Sequence, residues 1–503
     1  MASVQRPGVY VEESLNPVQT ITGPASTTVA AFVGVTDRGP VEPTLVTSWS
    51  QYVDAYGSWN TTASNDLPLA VYMFFANGGS QAYILRVVNP LSATSATRTL
   101  SDRGGTPAAT LILNAINPGA WGNTLSVAIS DSTMSGKFNL VLYKDGASTT
   151  NIVERFVDLS MTPTDARYAL TVINGASRYI TVIDANSASS GSTRNPSVQA
   201  VPLSLASGFD GASISGTDLV AALSDFDVVN QSLLLNLPNK TDTETVNGAI
   251  DYAETRGDVF VIVDGINDTT SAQLVQAAEY SASSHAAVYY PRVTVSDPTR
   301  GVGAPSNATI LAAPGGAIAG LYVKTDASRG VFKAPAGLLS RIAGAVSVKK
   351  LTNAELDNLN SSSAPVNAIK FVSGSGIVVM GAKTLNTGYI DKYVPVRRTL
   401  IYLRKSLVDL TQFAIFEPND PALWRRLSAS ISSFLTQFWS QGGLRGATPE
   451  QAFFIKIDSS NNTQTTIDNG EVHIEIGVAL QRPAEYIIIK IGQFDGGNTV
   501  TVA

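Results

Sequence analysis

The chain has 503 residues, 44% of them apolar, with 34 Lys and Arg against 40 Asp and Glu, and no cysteine. That length holds about three domains with sizeable cores, while a formal charge of −6 and a pI near 5.1 argue against the broad basic surface that a phosphate backbone requires. Disulfides and thiolate ligands are excluded, and with only 15% charged residues, below the roughly 25% of an average soluble protein, much of the exterior must be Ser, Thr, Asn or Gly, or be covered by partners. The first residues lack an apolar targeting core, and no apolar run reaches the ~18 residues of a membrane span. The expectation is a protein made in the cytosol that stays soluble, with no membrane insertion and no direct nucleic-acid binding.

In chain order, Pro7 and Pro17 bracket a short extended segment, Gly8-Val9-Tyr10-Val11-Glu12-Glu13, which has no partner of its own and needs a sheet to join. Thr27 to Val35 reads as a buried strand closed by a turn at Asp37-Arg38-Gly39-Pro40. Helices are expected from Ser48, carrying Tyr52, Ala55 and Tyr56, and from Leu67 to Ala76, ending at Asn77-Gly78-Gly79; Tyr83 to Val88 is the next buried strand. From about Ser92 to Ala206 helical periodicity fades. Short strands replace it at Leu111–Asn114, Leu125–Ser130, Phe138–Lys144, Ile152–Leu159 and Tyr179–Asp184, separated by Gly-rich turns, which predicts an inserted β module on the outside of an α/β core.

Gly208-Phe209-Asp210-Gly211 marks the return to alternating strands (Ser232–Leu237, Val259–Asp264, Ala286–Tyr290) and helices (Thr243–Arg256, Ala272–Ser284), the pattern of a mostly parallel sheet covered on both faces. A Gly/Ala/Pro-rich passage from Gly301 to Gly320 follows, then a strand at Ile377–Met380. The densest patterning comes last. Val396 to Phe413 predicts an amphipathic helix with Leu400, Leu403, Leu407 and Leu410 on one stripe and Arg398, Tyr402, Lys405 and Asp409 opposite, flanked by Arg397 and Arg404. Asp420-Pro421 opens a second helix, which buries Leu423, Leu427, Ile431, Phe434 and Phe438 and stops at Gly442-Gly443. Strict alternation from Val472 to Leu480 predicts a half-buried strand, and Glu485 to Ile491 a fully buried one.

Evidence for catalysis is thin. The two histidines, His285 and His473, stand far apart, with no H-E-x-x-H and no G-x-S-x-G. Gly376 to Thr384 approximates a P-loop but has an alanine between glycine and lysine and reads as a strand with a closing turn. Asp264-Gly265, at the end of a parallel strand, sits where α/β enzymes place ligands, although a plain strand-to-loop turn accounts for it better. The cationic positions Arg398 and Lys405 admit two readings: a partner-facing surface, or a solvated helix face with Asp409 as its internal partner.

The C-terminal residues resemble the contractile tail sheath family. The resemblance runs through Tyr393-Val394-Pro395-Val396-Arg397-Arg398-Thr399-Leu400-Ile401-Tyr402, Phe416-Glu417-Pro418-Asn419-Asp420, Trp424, Trp439, Ala452-Phe453-Phe454 and Arg482-Pro483-Ala484-Glu485-Tyr486. Earlier segments extend it in the family's order: Gly8 to Glu13, Asn77-Gly78-Gly79, Arg86-Val87, Asn117 to Asn123, Lys333-Ala334-Pro335-Ala336 and Gly381 to Leu385.

That resemblance implies a multidomain α/β protein: an α/β core (residues 21–91 and 207–385), an inserted outer all-β domain (92–206), a conserved C-terminal α+β inner domain (386–492), and strand-donating arms at residues 1–20 and 493–503. It implies a structural subunit, with no enzymatic activity and no cofactor or metal, that polymerises as stacked rings around an inner tail tube. The lattice shortens on triggering and drives the tube through a target envelope. Gly8, Val9, Tyr10, Val11 and Glu12, with Val500, Thr501 and Val502, would be the inter-subunit arms, and Arg397, Arg398, Arg404 and Lys405 would face the tube. Partners would be further copies, the tube protein, and baseplate and tail terminator proteins, in a virion tail assembled in the host bacterial cytoplasm or in a phage-derived injection particle. The competing readings are an α/β enzyme with an accessory β domain and a fibre or surface-layer protein.

Overall fold

The computed structural model describes residues 28–60, 64–199, 201–299, 308–388 and 391–485. The chain opens with β1 (Val29–Gly34), β2 (Thr44–Val46), α1 (Trp49–Tyr56), α2 (Asp66–Ala76) and β3 (Ala82–Arg86). Ser48 caps α1 through a hydrogen bond from the Gln51 amide, and Tyr52 and Tyr56 point inward. β1 is apolar throughout and pairs in parallel with β3.

Seven strands then follow before the chain returns: β4 (Thr97–Ser101), β5 (Ala109–Ala115), β6 (Leu125–Asp131), β7 (Phe138–Lys144), β8 (Ile152–Leu159), β9 (Ile180–Asp184) and β10 (Leu203–Ser204), with α3 (Ala169–Asn174) between β8 and β9. They form two antiparallel sheets, β10-β6-β7-β8 and β4-β5-β9. Alternate residues such as Leu111, Leu113, Val127, Ile129, Leu140 and Leu142 point into one apolar cluster running from Ala96 to Leu205, which shares no residue with the other three clusters. The five strands expected here are present. β4, β10 and α3, not foreseen, fall in stretches where Ser and Thr dilute the apolar alternation.

The return runs through α4 (Gly216–Ala221), β11 (Leu233–Asn236), α5 (Thr243–Arg256), β12 (Val259–Asp264), α6 (Thr270–Ala278), β13 (Ala286–Tyr290), β14 (Val293–Ser296), β15 (Thr309–Ala312), α7 (Gly315–Arg329), β16 (Ala345–Val348), α8 (Asn353–Ser361), β17 (Val366–Val372) and β18 (Gly376–Val379). The eight-stranded sheet has the order β18-β17-β13-β12-β11-β1-β3-β2. Its six inner strands are parallel and its edge strands β2 and β18 antiparallel. One apolar cluster covers each face, with α2 and α7 on one side and α4 and α5 on the other. β14, β15 and β16 make a small separate sheet.

The Gly/Ala/Pro-rich passage from Gly301 to Gly320, to which the sequence assigned no element, contains the start of α7. Its glycines permit contact rather than break the helix: a Cβ on Gly316 would lie 2.1 Å from the Ala70 carbonyl oxygen in α2, and one on Gly320 would lie 2.5 Å from that of Phe74. Two helices this close need small residues at the crossing, and the low helix propensity of glycine is overridden by packing.

The last part comprises α9 (Val394–Thr411), α10 (Pro421–Ser440), the short α11 (Pro449–Ala452), β19 (Phe453–Lys456), α12 (Gln464–Asp468) and β20 (Glu475–Val478). Asp420 caps α10 by accepting from the amides of Ala422 and Leu423, and Gly442 ends the segment with φ +86°. The alternating strand is shorter than its pattern. At His473 the backbone amide donates to Asn462 Oδ1 at 2.6 Å and the carbonyl accepts from Asn462 Nδ2 at 2.8 Å, so a side chain replaces the strand ladder there. Of the strand expected over residues 485–491, all but Glu485 lies outside the described residues, as do both terminal arms.

Candidate functional site

α9 is the element on which the C-terminal unit and the core meet. Two leucines of its stripe, Leu403 and Leu407, are buried with Leu423, Leu427, Ile431, Leu435 and Phe438 of α10, with Leu410 partly buried against them, while Leu400 is half-buried outside that cluster. The opposite side is not solvated. Val394 and Ile401 belong to the core cluster beside Phe74, Tyr289 and Tyr322, so α9 is buried on two faces.

The cationic face is corrected accordingly. Arg398 is 3% exposed and grips Asp326 of α7 with two parallel bonds of 2.8 and 2.5 Å; its guanidinium stacks 4.7 Å from the Tyr322 ring centre. Burial works against the charge, and the Asp326 carboxylate outweighs it, holding the guanidinium above its ordinary range. Behind it the Tyr322 and Tyr289 hydroxyls are hydrogen-bonded to each other, and burial pushes both phenols well up. Arg397 is 5% exposed and donates to Asp391 at 2.6 Å. Lys405, also buried, donates to Asn230 at 2.5 Å and lies 3.8 Å from Asp409. Arg404 is half-buried against the left-handed C-cap of α5, where a Cβ on Gly257 would come within 2.2 Å of its Nη1. The expected outward cationic surface is therefore buried: Arg398 and Lys405 tie α9 to the core through Asp326 and Asn230, while Arg397 pairs with Asp391 just ahead of the helix. Asp326 and Asn230, the decisive partners, come from 72 and 175 positions away.

The Gly381-Ala382-Lys383-Thr384-Leu385 segment carries the chain from β18 to α9. Asn367 brackets it through its side-chain amide, accepting from the Lys383 amide and donating to the Lys383 carbonyl, both at 2.7 Å. Lys383 Nζ and the Tyr393 hydroxyl converge on Glu485, at 3.7 and 3.2 Å. β19 and β20 pair antiparallel and, among the described residues, with no other strand.

A second joint lies where the β module leaves the core. Arg86, 2% exposed, donates to the carbonyls of Thr36 (2.9 Å), Gly39 (3.2 Å), Asp37 (3.3 Å) and Pro118 (2.9 Å). Burial lowers its pKa to about 10. Asp210 accepts from the Ala120 amide at 2.9 Å, and Asn123 exchanges two 2.8 Å bonds with Gly208. The Asn117 to Asn123 turn, Arg86 and the Gly208-Phe209-Asp210 turn thus form one neck.

Asp264, at the carboxyl end of β12, is engaged by the chain itself. Asp264 is buried and accepts from the Gly315 amide at the start of α7 (2.6 Å) and from the Asn239 amide (2.9 Å); burial raises its pKa. Its carboxylate caps a helix where an enzyme would keep an open crevice. Gly376 to Val379 is a strand, as its sequence indicates, without the phosphate-cradling loop. His285 Nδ1 lies 2.8 Å from the Val259 carbonyl, and the exposed His473 lies 3.0 Å from Glu471.

Residues 392–494 match the family profile described as the phage tail sheath C-terminal domain. The C-terminal part of the chain is thus similar to phage tail sheath proteins. A tail sheath protein of Vibrio phage KVP40 is 28% identical over 182 residues, 35% of this chain and 25% of the relative, so the match spans about a quarter of that protein's length. The fold is shared over nearly the whole chain with solved structures. A chain of the anti-feeding prophage baseplate is 22% identical with a TM-score of 0.58, covering 97% of this chain and 99% of that one. The contracted PVC sheath of an extracellular contractile injection system is 23% identical with a TM-score of 0.54, covering 98% and 99%. The sheath tail protein Lin1278 from Listeria innocua is 12% identical with a TM-score of 0.61, covering 87% and 90%. Sequence reasoning missed Asp326, Asn230 and Asn367. Asn367 stands alone in the apolar run from Pro365 to Ile369, whereas Asp326 and Asn230 sit among other polar residues and carry no such signal.

Proposed function

We propose that the chain is the structural subunit of a contractile tail sheath, polymerising helically around an inner tube and shortening to drive that tube through a target envelope. The observation that carries this is the C-terminal unit itself, which matches the sheath C-terminal domain and is tied through α9 to the core as one body. Its two-stranded sheet supports strand donation, because a sheet of two strands is marginal in isolation and gains stability from a strand added by a neighbour. The arms Gly8 to Glu12 and Val500 to Val502 are the proposed donors on the strength of their sequence. Residues 21–91 with 207–385, 92–206 and 386–492 are the proposed core, outer module and inner domain; the apolar cluster confined to Ala96 through Leu205 supports the outer module, while core and inner domain share apolar residues across their boundary. Partners would be further copies, the tube, and baseplate and terminator proteins, in a tail assembled in the bacterial host. The buried ties of α9 take Arg397, Arg398 and Lys405 out of the tube-facing assignment. An extracellular injection particle is equally compatible, given the anti-feeding prophage and PVC relatives.

Electron microscopy of the purified protein tests the assignment. Hollow cylinders are expected, whereas discrete particles with enzymatic turnover overturn it. Deletion of residues 1–20 should leave folded monomers that form no linked lattice; normal cylinders from that truncation refute the arm role.

A further inference from the structure

The loop between α9 and α10 carries an aromatic knob. Phe416 is 87% exposed and has φ +66°, a left-handed conformation that a bulky side chain adopts only under constraint. The constraint is visible on its C-terminal side. Asn419 accepts from Trp424 Nε1 at 2.8 Å and donates to the Glu471 carbonyl at 2.9 Å, Asp420 caps α10, and the Glu417 amide donates to the Ala414 carbonyl at 3.2 Å. A knob fixed in advance loses little entropy on docking. Glu417, next to it, is held by an exposed 3.1 Å pair with Arg426, a kind of contact worth little and readily exchanged.

A cleft of about 370 Å³ opens beyond the carboxyl ends of β12 and β13, beside β14, β15 and β16, within the size range, from about 300 Å³, of pockets that accept compact groups. Ile266, Leu311 and Val348 give it apolar wall, and Leu311 is 45% exposed. Two cations stand at its sides. Arg292 is fixed by a 3.1 Å bond to the Gly265 carbonyl, and Lys349 by a 2.7 Å bond to the Tyr290 hydroxyl.

We propose that Phe416 of one copy seats in this cleft of a second copy, with Glu417 facing Lys349 and Arg292. An aromatic ring followed directly by a carboxylate complements a cleft with one apolar wall whose lining sets two cations, Arg292 and Lys349, against one acidic residue, Asp268. Knob and cleft lie on different elements of the same chain; made in one direction from copy to copy, the contact is heterologous and, repeated without closing, builds an open helical polymer. The inference rests on the sheath reading and names a lattice contact independent of the terminal arms.

The test uses the full chain, with self-association read by sedimentation velocity and polymer form by electron microscopy. Phe416→Ala and the cleft-filling Leu311→Trp should each weaken association at least about tenfold, as loss of a central anchor does, with unchanged thermal melting. Glu417→Lys and Lys349→Glu should each weaken it and together restore it, the signature of a direct pair in a double-mutant cycle. Wild-type association by Phe416→Ala, or a double variant no better than the single ones, overturns the contact. Cylinders formed normally by all variants sink the contact and leave the sheath reading standing. Absence of cylinders from the wild type sinks that reading, while the same mutational pattern in pairwise association still supports the contact.

Discussion

The core is joined to its two neighbours in contrasting ways. Toward the β module the joint is a neck of hydrogen bonds: Arg86 serves four carbonyls, and Asp210 and Asn123 close the ring, while the module keeps an apolar cluster to itself. Toward the C-terminal unit the joint is a shared interior: Val394 and Ile401 enter the core cluster, Val331 enters the C-terminal one, and Arg398 meets Asp326 in a buried bidentate pair. Separate clusters allow a module to open or be exchanged without unfolding its host. A shared cluster with a buried ion pair makes two units one cooperative body.

The largest expected effect is at the shared joint. Arg398→Met leaves the Asp326 carboxylate without its charged partner and should cost about 3–5 kcal/mol, as breaking a buried pair does. The core and the C-terminal unit should lose stability together, seen as a single shifted transition in calorimetry. Two separated transitions, with only the C-terminal one moved, would break the comparison. At the neck, Arg86→Met leaves buried carbonyls unserved and should cost about 1–3 kcal/mol, expressed locally. Hydrogen exchange should quicken around residues 94–97 and 206–209, whose backbones pair across the neck, more than in β1 or β12. Equal loss of protection in the main sheet would show that the two joints are alike.

The smallest effect calibrates both. Glu355 accepts from Thr270 Oγ1 at 2.6 Å and from the Thr352 amide at 2.8 Å, tying α8 to α6 within the core. The Thr270 hydroxyl, followed by the Thr352 contacts, lowers its pKa from 4.5 to about 2. Because the folded value is depressed, the stabilisation is present above the ordinary carboxyl range near pH 4.5 and is lost as pH falls toward about 2. The melting difference between wild type and Glu355→Gln should close over that window, and a constant gap across it would remove Glu355 as its source.

What was legible in the sequence followed from local periodicity. Val259–Asp264, Phe138–Lys144, Ile152–Leu159 and Thr243–Arg256 are found with the expected bounds, because each is bounded by turn or capping residues that act over a few positions. α7 was hidden because glycine signals both broken helices and close helix contacts, and only the position of α2 decides between them. The cationic face of α9 was misjudged for a related reason. An arginine opposite a leucine stripe looks solvated unless its carboxylate is known, and Asp326 stands 72 residues upstream. Of the candidate site, the apolar half was visible and the paired polar half was not. The arms lie outside the described residues.

The doubly buried α9 also has a mechanical meaning. Its 18 residues make a rod about 27 Å long at ~1.5 Å per residue. Arg398 anchors one end to α7 and Lys405 a point two turns along to Asn230, while the far end runs into the loop that bears Phe416. A pull applied at that loop along the rod would load both anchors in shear at once instead of peeling them one by one. An element fastened this way would pass displacement from its tip to α7 and to the loop ahead of β11 with little slack, as a lever does when its fulcrum is bolted along its length.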